Sequence, residues 1–442
     1  MLRHFSILLL LTCSAVVAQE SNTRFRGPAG DGIAADDKRL PEKWDAETNV
    51  AWQANIKGLG WASPLVLGDR VFVASVWAEG DFERPNGGLY KGLGNRKAPD
   101  SVHHWMVYCL DLQTGKPLWE KELHSMKPPV PRHPKSTYAV ETPTTDGENV
   151  FVLFGDIGLH CLDVDGNVVW SKEIDTKDTF LNYGAAASPV VHDGQVIMVY
   201  DNQRDSFIAS FDTATGDENW RTARDEASTW ATPFVWKNDT RTEIVTAGRK
   251  KIRSYDMKGK LLWELQGRMS SLTIPSPFAA DGLLFVTSGY VGDRHRPTYA
   301  IAPGATGDIT LKEDETSNEF VKWYLPKAGP YNTTPIVYKG QYITVHDRGF
   351  LTAHNAATGE EIYGKRRFPK QASFTASPWA YNGNVYFLSE QGDTWMMTPG
   401  PEFKVERINR LGELCIATPS VAQGRLFVRT ATKVICVTKM SQ

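Results

Sequence analysis

A short phrase recurs through this sequence: serine or threonine, then proline, then an apolar run, a turn and a second apolar run. It appears at Ser63-Pro64, Thr142-Pro143, Ser188-Pro189, Thr232-Pro233, Ser276-Pro277, Thr334-Pro335, Ser377-Pro378 and Thr418-Pro419. The prolines are 79, 46, 44, 44, 58, 43 and 41 residues apart. A period in the low forties suits one four-stranded propeller blade, so the 442 residues need not divide into two or three ordinary domains. After each proline the chemistry is that of strands. Leu65-Val66-Leu67 is followed by Gly68-Asp69 and then Val71-Phe72-Val73-Ala74; later copies turn at Asp193-Gly194, Asp281-Gly282, Asn382-Gly383 and Gln423-Gly424. Such pairs tolerate the positive φ of tight hairpins, and a proline with no N–H to donate suits the first residue of a strand.

A second phrase closes most copies. It reads Asp111-Leu112-Gln113-Thr114-Gly115 to Trp119, and Asp212-Thr213-Ala214-Thr215-Gly216 to Trp220. Shorter forms run from Asp163 to Trp170 and from Asp256 to Trp263, and one copy, Asn355 to Tyr363, has Tyr in the Trp place. The aspartate and the Thr-Gly pair predict a tight turn between the two outer strands. The aromatic ring then falls at a fixed place on the outermost strand, where it can cover a neighbouring blade and bury about 150–250 Å². Much of the unusual count of 14 Trp is explained this way.

These two phrases together resemble the quinoprotein, or PQQ-type, propeller repeat shared by quinoprotein alcohol dehydrogenases and BamB-type outer-membrane assembly proteins. The resemblance spans about Asn49 to Lys439, and Arg26-Gly27-Pro28-Ala29-Gly30-Asp31-Gly32 is similar to the lead-in of exported members. The expectation is therefore an all-β, eight-bladed β-propeller over residues 49–442, with residues 19–48 as a lead-in. The eighth copy has residues for only three strands and no closing Trp, so the strand around Trp52 is expected to complete the last blade and close the ring, which removes exposed sheet edges. The seventh copy is the weakest, with no Thr-Gly and with Phe403 to Arg407 in the place of the Trp strand.

Residues 1–18 read as an export signal: Arg3 and His4, the apolar stretch Ile7 to Leu11, and small residues before Gln19. A periplasmic or extracellular location follows. Lipid attachment at Cys13 is disfavoured by Thr12 before it, and no stretch approaches the roughly 18 apolar residues of a spanning helix. With a net charge of −2 and mixed signs, nucleic acid is not an expected partner. The closed ring is expected to be a monomer, with a protein or a carbohydrate as partner. Of the remaining cysteines, Cys109, Cys161 and Cys436 sit at matching strand positions and read as buried core residues, and a Cys415–Cys436 bridge within one blade is left open. His103-His104 lacks a carboxylate or Cys partner at ligand spacing, so no metal site is assigned.

The candidate site is the mouth of the central funnel. Trp61, Tyr138, Tyr183, Trp230, Tyr331 and Phe374 precede the Ser/Thr-Pro pairs, where the chain should enter the innermost strand. The loops between second and third strands should face the same mouth and contribute Arg249, Arg348 and Asp393. Two insertions in the first copy, about Trp77–His104 and His124–Thr137, and an acidic one around Lys312–Glu319 provide further loops. No G-x-S-x-G, H-E-x-x-H or phosphate loop is present, so the first reading is a non-catalytic binding or scaffold module. The alternatives are a dehydrogenase dependent on PQQ and calcium, and a polysaccharide-binding or -processing propeller. The resemblance implies PQQ and calcium for the former. The family's adjacent-cysteine disulfide and the haem motif are both lacking here, and no specific residue is assigned to either cofactor.

Overall fold

The computed structural model describes residues 21–80, 82–88 and 96–440; the expected export signal lies outside these residues. The described chain forms eight sheets in a ring, each built on four antiparallel strands, one of them with a fifth, parallel strand added. Blades 1 to 7 span 65–126, 144–173, 190–223, 234–265, 278–325, 336–367 and 379–410. Blade 8 consists of Ser420–Ala422, Arg425–Arg429 and Lys433–Val437, and Val50–Asn55 adds its outer strand antiparallel to Lys433–Val437, with Trp52 opposite Cys436. The N-terminal strand thus completes the last blade, as the missing fourth strand required. The hairpin turns are of the expected kind: Asp193 and Gly194 have φ of 46° and 72°, and Asn382 and Gly383 of 49° and 78°.

Blades are held to one another at two radii. At the rim, the Asp111–Gly115 turn is built by Asp111 Oδ1, which accepts from the Thr114 N–H at 2.8 Å and the Thr114 hydroxyl at 2.6 Å. Gly115 then lies at φ +68°, and the Trp52 indole of blade 8 rests on it; a Cβ there would be 2.4 Å from the ring. The indole N–H donates to Leu112 O at 2.9 Å. Trp119, Trp170 and Trp220 dock in the same way, each on the next blade's turn glycine and each donating to that turn's carbonyl at 2.9–3.0 Å. Trp323 does so on Gly359 with a bond of 3.0 Å.

Three junctions depart from this scheme, each for a visible reason. Blade 5 has no such turn, so Trp263 donates to Glu243 in its own blade at 2.7 Å, and Gly307–Asp308 runs parallel beside Leu261–Leu265 as a fifth strand. That strand opens the insertion expected to be a loop around Lys312–Glu319. Tyr363 of blade 6 packs against Phe403, and its hydroxyl points at Met397 Sδ at 3.7 Å. Blade 7 ends in Val405–Arg410 with no aromatic ring, two residues beyond the expected start at Phe403; Trp44 of the lead-in, 2% exposed, fills the junction against Tyr386. All four described cysteines are free and buried, so Cys415 and Cys436 are not bridged.

At the axis, the innermost strands start at the Ser/Thr-Pro pairs, and the hydroxyls form a collar. The N–H of Ser63 donates to the hydroxyl of Thr142, that of Thr142 to Ser188, and so on through Thr232, Ser276, Thr334, Ser377 and Thr418. All seven bonds measure 2.9–3.1 Å. The eighth bond, from Thr418 back to Ser63, is not formed, and Ser63 Oγ is buried without a partner.

The rim docking sets a stability test. Gly115→Ala meets both a left-handed backbone and the Trp52 ring, and is expected to cost about 2–4 kcal/mol. Gly68→Ala, at φ +57° with nothing within 4 Å, should cost only about 1 kcal/mol. Urea unfolding of both variants checks this; equal costs would remove the docking contact from the account.

Candidate functional site: the axial chamber

The lead-in closes one end of the axis. Asn22 pairs with Val66 of blade 1, and Thr23 O accepts from Thr144 and Thr145 of blade 2. Arg24 lies over Phe234. Arg26 is buried and donates to the carbonyls of Gly30, Asp31, Thr334, Pro335 and Pro378, tying the lead-in to blades 6 and 7. Between Arg24 and Arg26, Phe25 faces the axis as a floor. Outside the lead-in itself, these contacts are with residues at or beyond the Ser/Thr collar in chain direction.

The two insertions of blade 1 approach from the opposite side, above residues that precede the collar. Lys135 reaches across to blade 7, where its Nζ lies 2.6 Å from Glu390 Oε1 and 3.2 Å from Thr375 Oγ1. Glu390 is 1% exposed, and also accepts from the Thr375 hydroxyl and from Gly88 N–H, both at 2.6 Å. Arg132 holds the insertions together through Ser136 O and Glu83 O. A buried ion pair with this many hydrogen bonds is a latch, since removing one partner would strand the other charge.

Between floor and roof lies a chamber of about 230 Å³. Its wall includes seven collar hydroxyls (Thr142, Ser188, Thr232, Ser276, Thr334, Ser377 and Thr418) and the rings of Trp61, Tyr183, Trp230 and Tyr331. Four of the six aromatic candidates therefore meet on the axis. Trp61 and Trp230 are fixed by indole bonds of 2.8 Å to Lys135 O and Gly184 O. The structure places Tyr138 to one side, edge-on to His103 and donating to Val130 O, and puts Phe374 in the core against Phe368. Arg249 lies over Phe180, Arg348 is exposed, and Asp393 is buried beside Lys370. None of these three lines the chamber. His103 and His104 are neighbours on one strand and so point to opposite faces; His104 stacks on Trp77 at 3.8 Å and meets Glu122 at 2.8 Å. Among the described residues no group of three or more His, Cys, Asp or Glu could hold a metal ion.

The sequence reading missed Lys135, Glu390, Thr375, Phe25 and the hydroxyls themselves. For the hydroxyls there was a signal: proline explains the strand start, but not why Ser or Thr precedes it in every copy. A second missed feature is Glu141. Where other copies place Ala62, Ala187, Ala231, Ala376 or Ala417 just before the Ser/Thr-Pro pair, blade 2 has a glutamate, 3% exposed, accepting from Gly155 N–H at 3.1 Å. Asp156 is nearby, accepting from Ala185 N–H at 3.4 Å and Tyr200 OH at 3.3 Å. This carboxyl pair shares the wall residues Val140 and Ala185 with the chamber. Burial, reinforced by Asp156, pushes Glu141 up to about 8, and burial raises Asp156 to about 6. His133, on the chamber side, is pushed down to about 4 by burial and by its cationic neighbours.

Because the folded chain holds the Glu141 proton more tightly than the unfolded chain does, the stability it contributes is full below its ordinary value of 4.5. That stability is lost as pH rises towards 8. Glu141→Gln should flatten the fall of the thermal midpoint between pH 5 and pH 8.5; an unchanged slope would contradict the buried proton.

Comparison with known proteins agrees with this architecture. A family model described as outer membrane protein assembly factor BamB matches residues 30–228 and 103–269, together more than half of the chain. No curated protein sequence matches significantly. Among solved structures, BamB from Moraxella catarrhalis is similar with a TM-score of 0.54 at 14% identity, covering 75% of this chain and 91% of that one. Quinohemoprotein alcohol dehydrogenase from Comamonas testosteroni gives 0.59 at 13% identity, covering 97% and 82%. A europium-containing methanol dehydrogenase gives 0.57 at 12% identity, covering 94% and 90%. At these identities the structural likeness speaks for the fold alone. The family match, together with a ring whose Trp rings dock on neighbouring turn glycines, shows that this chain belongs to the PQQ-like β-propeller family.

Proposed function

We propose that this chain is an exported, non-catalytic binding propeller that holds a small ligand in its axial chamber and meets a protein partner at the roofed mouth. The observation that carries the reading is the chemistry of the chamber wall. It offers hydroxyl donors and aromatic faces, its one charged group among the described residues is Lys135, and Lys135 is already neutralised by Glu390. Among the described residues the wall has no carboxylate of its own, and His133 is held neutral, so these residues set no acid–base pair over the space. The likeness to an outer membrane protein assembly factor supports a protein partner, and the signal-like start of the chain supports export. No helix among the described residues is long and apolar enough to cross a membrane.

The related dehydrogenases raise the question of a quinone with calcium. Such a pair needs cations for the quinone's carboxylates and several oxygen ligands, carboxylates among them, for the metal. The wall supplies one cation, which is engaged, and Glu141 and Asp156 lie behind Val140 and Ala185. The residues present do not fit that group.

Titration of the full chain with PQQ in the presence of calcium is therefore expected to give no saturable change in quinone absorbance and no dye-coupled alcohol oxidation. Saturable binding with turnover would overturn the non-catalytic reading.

A further inference from the structure

We infer that the axial chamber takes one uncharged, oxygen-rich ring of about the size of a single pyranose sugar. This rests on the reading of the chamber as a binding site and adds the ligand class.

Hydrogen bonding comes first. Each of the seven collar hydroxyls accepts an N–H from the blade before it, and none donates to another group of the described protein. Every hydroxyl therefore keeps its proton for the chamber. The hydroxyls of Tyr183 and Tyr331 and the side-chain amide of Asn332 also line it without a bond to another described residue. Each collar hydroxyl also keeps a second lone pair, so the wall both donates and accepts, and an occupant whose own hydroxyls and ring oxygen do both matches it.

Charge comes second. The Lys135–Glu390 pair sums to zero, and His133 is neutral. An anionic ring would bring a charge for which Lys135, already paired with Glu390, offers no free partner, and its desolvation would be penalised. An uncharged one would not.

Shape comes third. Trp61, Tyr183, Trp230 and Tyr331 line the chamber together with Leu272 and Ile274, and this apolar lining suits the C–H face of a sugar ring. The volume of about 230 Å³ admits one such ring.

The test is a titration of the full chain with galactose, mannose, N-acetylglucosamine and, as an anionic planar control, benzoate. Binding is read by calorimetry and by the fluorescence of Trp61 and Trp230. At least one neutral sugar is expected to bind saturably at one site per chain. Tyr331→Ala and Asn332→Ala should each weaken that binding tenfold or more while leaving the circular dichroism spectrum intact; two variants are used so that one misfolded protein does not decide the outcome. Binding of benzoate with all sugars silent would overturn the ligand class and leave the chamber as a site. Silence from every probe would overturn the class and the chamber reading together. Sugar binding unaffected by both variants would overturn the location.

Discussion

The structure depends on one small contact repeated around an axis: at seven of the eight blade entries the backbone N–H donates to the hydroxyl of the next blade's entry residue. A blade enters its innermost strand through Ser/Thr-Pro, and proline supplies no N–H of its own. The N–H before it would be buried without a strand partner, and the neighbouring hydroxyl satisfies it. The same bond fixes the spacing between blades at the axis, where eight chains converge and side chains must be small. Trp on glycine fixes the spacing at the rim. With both radii set, the width of the chamber follows, and the lead-in and the two blade-1 insertions set its ends.

The departures from the repeat are where the chain does more than close a ring. Trp44 fills the blade-7 junction, which has no closing aromatic of its own, and so ties the lead-in to the core. Gly307–Asp308 covers the edge left where blade 5 has no turn to receive Trp263. Glu141 replaces a small residue beside the chamber and brings a buried proton with it. The blade 8–blade 1 junction carries two groups without a hydrogen bond among the described residues: Ser63 Oγ, and the fully buried guanidinium of Arg429, which interacts with the Tyr108 hydroxyl and with Glu413 only through its charge. Trp52 and the strand Val50–Asn55 hold this junction from outside.

Much of the fold could be read from the sequence because it is periodic. Eight Ser/Thr-Pro pairs gave the blade count, and the three-strand eighth copy with a spare strand at Trp52 gave the closure. The site was only partly legible. Trp61, Tyr183, Trp230 and Tyr331 line the chamber, but Tyr138 and Phe374, which also precede a Ser/Thr-Pro pair, pack against His103 and Phe368 instead. The distance from each ring to its Ser/Thr varies from copy to copy, so the repeat alone does not say which way a ring points. The Lys135–Glu390 latch joins residues 255 positions apart, on an insertion and on a hairpin, so no periodic argument could pair them. Glu141 was visible as the one charged residue in a column that holds Ala in five of the eight copies, directly before the Ser/Thr-Pro pair.

The claim that the collar organises the ring is tested most directly by native-state hydrogen exchange at the eight entry residues. The amides of Ser63, Thr142, Ser188, Thr232, Ser276, Thr334 and Ser377 each have a hydroxyl acceptor, and that of Thr418 lacks one. The account predicts that the seven exchange more slowly than Thr418 by about tenfold or more. Equal protection of all eight, or rapid exchange at several of the seven, would contradict it.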